Sequence, residues 1–144
     1  MIIGIGTDII NIERIAKLVT KFGNKFLDRI FTPNEVLESQ KFFLPKLYSS
    51  YLAKRFAAKE AYAKATGMGI RNHISFNQIE IANDSNGRPF IILHNRTKDQ
   101  LTDIIPINYT PKIHVSLSDD YPLAIAHVII EIRQNLIFKL ANNF

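Results

Sequence analysis

A single change of hydrophobic period constrains this chain more than any other feature. Between Asn11 and Gly67, apolar residues return at steps of three and four, the spacing of helices with a buried stripe. From Phe76 onward they alternate or run together in short β-branched stretches, the spacing of strands. Helices in one block and antiparallel hairpins in another define the α+β class. With 144 residues, 47% of them hydrophobic, there is material for one domain around one core.

Local signals place the elements. Residues 2–9, IIGIGTDI, are β-branched and apolar on both faces, which predicts a strand in a central position. Residues 11–22 predict a helix ended by Gly23. Its stripe is Ile12, Ile15, Leu18, Val19 and Phe22, and Arg14, Lys17 and Lys21 fall on another face. Lys25 to Ile30 predicts a turn. Thr32-Pro33-Asn34-Glu35 predicts a helix start, with Thr32 as cap, Pro33 at the first position and Glu35 three residues after the cap. That helix is expected to reach about Phe42. Pro45 separates it from a long helix over 46–66, with Tyr48, Leu52, Phe56 and Ala63 buried and Gly67 at its end.

In the second half, Phe76–Ala82 and Arg88–Leu93 predict a hairpin around Asp84-Ser85-Asn86-Gly87. Residues 95–103 predict a short helix. Lys112–Ser118 and Leu123–Ile132 predict two strands joined around Asp119–Pro122. The second is apolar on both faces except at His127 and Glu131, so it needs cover from a helix layer and has room for another subunit. One domain over 1–132 is expected, with 133–144 as a tail.

The chain has no cysteine, which removes disulfides, thiolate nucleophiles and Cys-ligated zinc. No apolar run approaches the roughly 20 residues of a membrane span. The opening segment lacks a basic stretch and carries Asp8, unlike a signal peptide. A cytoplasmic protein is expected. The net charge of +5 is uneven: residues 1–13 carry −2, residues 14–71 carry +8 and residues 72–144 carry −1. A basic half of this kind suits an anionic partner: nucleic acid, a phosphorylated small molecule or an acidic protein.

Three places can carry chemistry. Asp8 ends an apolar strand on the same parity as Gly4 and Gly6, where a carboxylate needs a helix to cap, an ion-pair partner or a cation. In Arg55-Phe56-Ala57-Ala58-Lys59-Glu60-Ala61-Tyr62-Ala63-Lys64, Arg55 and Lys59 share one helix face and Glu60 and Lys64 another. Glu60 and Lys64 fit an ordinary i,i+4 surface pair, and equally a carboxylate and lysine at a metal–polyphosphate site. Gly67 and Gly69, just beyond, permit backbone close to a ligand. His114, Ser116 and Ser118 alternate onto one strand face, a phosphate-binding row or a solvent face. A Ser-His-Asp hydrolase is excluded, because the types crowd one strand without a nucleophile turn.

Together and in order, Ile3-Gly4-Ile5-Gly6-Thr7-Asp8-Ile9, Arg14-Ile15, Arg55-Phe56-Ala57-Ala58-Lys59-Glu60-Ala61, Lys64-Ala65 with Gly67-x-Gly69, and His114-Val115-Ser116-Leu117-Ser118 resemble the holo-[acyl-carrier-protein] synthases, the short type of 4′-phosphopantetheinyl transferase. The resemblance covers about residues 1–131. It implies an antiparallel sheet packed against a long helix. The implied reaction moves 4′-phosphopantetheine from coenzyme A to a serine of apo acyl carrier protein for fatty acid biosynthesis, releasing adenosine 3′,5′-bisphosphate. It further implies Asp8 and Glu60 as Mg²⁺ ligands, with Lys64 beside the diphosphate. Arg55, Lys59, Gly67, Gly69, His114 and Ser116 match positions near coenzyme A, and Arg14 and Arg29 match positions that dock the acidic carrier. Gly87-Arg88-Pro89 resembles a hairpin that approaches the adenine end. A homotrimer with sites between subunits is implied, and neither nucleic acid nor membrane is an expected partner. The serine proton would pass to Glu60 or to a water held by the cation. The family often carries His or Thr after the Ser-x-Ser strand, where this chain has Asp119-Asp120. Two other classes compete: a basic nucleic-acid-binding domain, for which no recognition motif is present, and a coenzyme A-binding module without catalysis.

Overall fold

Two absent side chains set the central contact of the molecule. In the computed structural model, which describes residues 1–68 and 74–135, a Cβ on Gly4 would land on the carbonyl oxygen of Ala65, and one on Gly6 on that of Ala61. Strand β1 (Ile2–Asn11) therefore lies backbone to backbone on the long helix α4 (Pro45–Ala65). The helix answers with small residues: Ala53, Ala57, Ala58, Ala61 and Ala65 are all buried.

Between them come α1 (Ile12–Phe22), α2 (Asn24–Ile30) and α3 (Pro33–Ser39). Asn11 caps α1 by accepting from Glu13 N–H. Gly23 stands between α1 and α2 at φ +53°, a left-handed value that suits glycine. Residues 24–30 form a helix where the sequence predicted a turn, because Leu27 and Ile30, one turn apart, both reach the core. The capping box at Thr32 and Glu35 forms as expected, but α3 stops at Ser39.

After α4 come a 3₁₀ turn (Phe76–Gln78), β2 (Ile79–Asn83), β3 (Pro89–Leu93), α5 (Asn95–Asp103), β4 (Tyr109–Asp120) and β5 (Leu123–Gln134). The 3₁₀ turn replaces the first residues of the strand expected from Phe76. β2 and β3 form a separate antiparallel hairpin. The main sheet is antiparallel in the order β1-β5-β4, with Asp8 opposite Ala126 and Ser116 opposite His127.

β5 is the central strand, and β1, expected there, is an edge. Apolarity on both faces of β1 reflects cover of a different kind: Gly4, Gly6 and Ile10 face α4, while Ile5 and Ile9 on the other face are 65% and 58% exposed. On β5, Ala124, Ala126, Val128, Ile130 and Ile132 face the helix layer. Arg133 and Gln134 pair with Thr110 and Tyr109, so the sheet takes the first two residues of the expected tail. Residues 136–144 and Gly69 lie outside the described residues. Among the described residues, no helix is long and apolar enough to cross a membrane.

Candidate active site

The α4–β1 contact brings a carboxylate from each element together. Asp8 follows Gly6 on the face of β1 that meets α4, and its side chain is 16% exposed. Lys64, near the end of α4, donates to Asp8 Oδ1 at 2.8 Å and to the Thr7 carbonyl oxygen at 2.9 Å. Thus Lys64 reaches across to the strand, beyond the i,i+4 pairing that spacing allowed with Glu60.

Glu60 is half-buried one turn earlier. Its burial raises its proton affinity, the Asp8 charge raises it further, and Lys64 and Arg14 partly offset both. Two carboxylates repelling one another beside an ammonium make a hard, all-oxygen donor pair suited to a divalent cation. Magnesium commonly takes one or two carboxylates and completes its shell from phosphate and water. Among the described residues, no three His, Asp or Glu side chains converge to hold a metal unaided. Asp8 and Glu60 fit the implied ion on those grounds.

The remaining predicted residues fall into groups. Gly67, just past α4, has φ +68°, a conformation strained for any residue with a Cβ. Arg14 and Arg29 are exposed on α1 and α2. Arg14, Lys17 and Lys21 line one shallow groove on α1.

Arg55 and Lys59 lie away from the carboxylate pair. The Arg55 guanidinium stacks 3.6 Å from the Tyr51 ring centroid and donates from Nη2 to Asn83 Oδ1 at 2.6 Å. Burial lowers its proton affinity. It borders a cavity of about 610 Å³ with Tyr51, Asn83, Lys54 and Asp119. Lys54 and Asp119 form an ion pair at 2.6 Å there, so the aspartate that departs from the family pattern holds a lysine at the rim.

Lys59, matched above to a position near coenzyme A, is fully buried and bonded to Glu35 at 2.6 Å. It has no surface to offer a ligand. Its hydrocarbon stem and charge are both enclosed, because Glu35 arrives from α3 to neutralise it.

His114 and Ser116 lie on the opposite face of the sheet from Asp8. Ile113, Val115 and Leu117 of β4 pack toward the core, so the even positions point outward. His114 Nε2 pairs with Glu131 Oε2 at 2.9 Å, and Glu131 also accepts from Arg133 Nε at 2.9 Å and Nη2 at 3.2 Å. Arg133 first, and His114 second, hold the Glu131 carboxyl down at about 2. Opposite Ser116, His127 Nδ1 pairs with Thr7 Oγ1 at 2.9 Å.

Sequence reasoning missed Glu35 as the partner of Lys59 and Glu131 as the partner of His114. Glu131 left a signal, as one of two polar breaks in an apolar strand. Glu35 left only its capping box, which says nothing of a lysine 24 residues on.

The chain is similar to known proteins over most of its length. A family model described as the 4′-phosphopantetheinyl transferase superfamily matches residues 4–126. Holo-[acyl-carrier-protein] synthase of Zymomonas mobilis is 46% identical over 132 residues, covering 91% of this chain and 97% of that protein. The one from Orientia tsutsugamushi is 46% identical over 130 residues, covering 90% and 97%. Among solved structures, holo-[acyl-carrier-protein] synthase from Neisseria meningitidis superposes with a TM-score of 0.79 at 42% identity, covering 91% of this chain and 99% of that one. The Helicobacter pylori enzyme in complex with coenzyme A gives 0.73 at 35%, covering 88% and 99%.

Proposed function

The chain belongs to the 4′-phosphopantetheinyl transferase superfamily, and from that premise we propose how its residues divide the work. Its activity is that of a holo-[acyl-carrier-protein] synthase: coenzyme A and an acyl carrier protein are its substrates, and the phosphopantetheine arm is transferred for fatty acid biosynthesis. The carrier serine oxygen forms a bond to the phosphorus that bears pantetheine. The bond from that phosphorus to the oxygen of the adenosine-side phosphate breaks, and adenosine 3′,5′-bisphosphate leaves.

The observation that carries this reading is the Asp8–Lys64 bond beside Glu60 at the glycine-backed contact of β1 and α4. Asp8 and Glu60 would hold Mg²⁺, which supplies charge neutralisation on the diphosphate. Lys64 adds a positive charge at the same place, steadying the leaving phosphate. Of this chain's own side chains, Glu60 is the one assigned to receive the serine proton. Positioning and charge do most of the work in phosphoryl chemistry. Arg14 and Arg29, on the exposed basic faces of α1 and α2, dock the acidic carrier. Gly67 lets the chain turn closely past the coenzyme A arm.

His114 and Ser116 contact coenzyme A held by a neighbouring copy. Within one chain they and Asp8 occupy opposite faces of one sheet, which supports a homotrimer with sites between subunits. The apolar outer face around Ile5 and Ile9 supports the same assembly. The catalytic unit runs from residue 1 through β5, and the enzyme works in the cytoplasm.

Incubation of purified chain with coenzyme A, MgCl₂ and apo carrier tests the reading by mass spectrometry of the carrier. The expected result is a mass increase by one phosphopantetheine with release of adenosine 3′,5′-bisphosphate. Unmodified carriers across several acyl carrier proteins would overturn it. Binding of coenzyme A without transfer would instead establish a binding module.

A further inference from the structure

His114 does not stand alone on the outer face of the sheet. Its Nε2 bonds Glu131 Oε2 at 2.9 Å. Glu131 sits on β5 directly opposite Lys112 and diagonal to His114, whose own opposite residue is Ile129. Diagonal neighbours on one sheet face are within reach of long side chains. Arg133, two residues further along the same face, closes a fork on the carboxylate: Nε donates to Oε1 at 2.9 Å and Nη2 to Oε2 at 3.2 Å. A two-bond fork fixes the plane of a carboxylate as well as its place. The backbone beneath is fixed too, since Glu131 pairs with Ile2 of β1 on one side and with Lys112 of β4 on the other.

This arrangement assigns the two imidazole nitrogens. An ionised carboxylate only accepts, so Nε2 of His114 carries the hydrogen of the bond to Glu131. Nδ1 is then the nitrogen left for a ligand. His114 and Lys112 border a cavity of about 290 Å³, and Glu131 is not among its described lining residues. The carboxylate therefore stands behind the ring, on the side away from whatever His114 binds.

We infer that Glu131, clamped by Arg133, is a positioning residue for His114: it fixes the tautomer and direction of the ring, so that Nδ1 is presented to the coenzyme A of the neighbouring copy. The inference rests on the between-subunit reading above. It assigns Glu131 and Arg133 no contact with substrate. Without the carboxylate, either nitrogen can carry the hydrogen and the ring can turn. Only a fraction of His114 is then ready to bind, and the apparent affinity for coenzyme A falls by that fraction. The carboxylate pair and the carrier-docking helices are left alone.

The test is Glu131→Gln, measured in steady state in the wild-type and the His114→Ala background. The amide keeps the size of the side chain but offers both a donor and an acceptor, so it no longer dictates the tautomer. With His114 present, the coenzyme A KM should rise about tenfold, the low end of what losing the group behind a ligating histidine costs at metal sites. The kcat and the carrier KM should stay within about twofold. In the His114→Ala background, whose own coenzyme A KM is raised, the further change should be under twofold, because a residue that acts through the imidazole has nothing left to act through. An unchanged coenzyme A KM with His114 present would overturn the proposal, and so would an equal rise in both backgrounds, which would make the cluster a prop of the sheet alone. Arg133→Ala, at an exposed position, decides the matter where Glu131→Gln fails to fold. It should raise the coenzyme A KM only with His114 present, and no rise would equally overturn the proposal. A His114→Ala protein with a wild-type coenzyme A KM would defeat the between-subunit placement of His114 and the proposal with it. A wild-type chain that modifies no carrier defeats the transferase reading itself, which separates the failures.

Discussion

Replacing Gly6 by alanine tests the α4–β1 contact and the site together. The new Cβ would sit on the Ala61 carbonyl oxygen and 2.7 Å from Ala65 N, against the 3.4 Å at which ordinary contact begins. Both obstacles are helix backbone, so no side chain can swing aside. β1 must move off α4 by well over half an ångström, roughly 0.7 Å from the nitrogen contact alone. Overpacking of this kind costs about 2–3 kcal/mol, and for a chain this long that lowers Tm by roughly 6–9 °C. Asp8 lies two residues along the same strand face and moves with it, away from Glu60 and Lys64. A misplacement approaching 1 Å costs on the order of a hundredfold in rate. Scanning calorimetry reads the first quantity, and carrier modification at saturating coenzyme A reads the second. Gly23→Ala is the control: among the described residues no atom beyond its chain neighbours lies within 4 Å of the added Cβ, and its left-handed backbone costs only about 1–2 kcal/mol. A Gly6→Ala protein with wild-type Tm and a rate within twofold of wild type would refute the reasoning.

Asp8→Asn is expected to lower turnover by at least about a hundredfold while moving Tm little, since a partly exposed ion pair contributes about 0–1 kcal/mol; a near-normal rate would count against the carboxylate pair. Glu60→Gln should abolish turnover yet melt higher than wild type at pH 7. The sign follows from linkage: a carboxyl whose affinity is raised on folding binds more protons folded than unfolded, so stability falls as pH rises through its titration. The gain from Gln should fade below the ordinary carboxylate range. Arg133→Ala should let the Glu131 carboxyl rise from about 2 toward the ordinary 4.5, read by NMR titration of its side-chain carbon. Arg14→Glu should raise the carrier KM by roughly tenfold or more while sparing coenzyme A, because reversing a docking charge acts on the charged partner; equal effects on both substrates would remove that docking face.

Much of this molecule is legible in its residues, and the failures share a cause. Thr32 and Glu35 declare a helix start locally, and the Asp84–Gly87 turn declares a hairpin locally. Asp8 and Glu60 were paired from family resemblance, and their proximity follows from Gly4 and Gly6, two residues that period analysis treats as gaps. Lys59 was misplaced because α4 is buried nearly all round, so a helical stripe could not reveal which charge is enclosed; that depends on Glu35 arriving from another helix. The short helix at 24–30 escaped because seven residues carry too few turns for a period. β1 read as central because a strand lying on helix backbone and a strand between two neighbours have the same apolar composition.

That His114 and Asp8 point away from each other has a genetic consequence. On the shared-site reading, each chain lends one half of a reaction centre to one neighbour and borrows the other half from another. A chain crippled at Asp8 still offers a sound imidazole next door, and a chain crippled at His114 still offers a sound carboxylate. Lesions on the two sides of the sheet would then complement in mixed assemblies, and lesions on the same side would not.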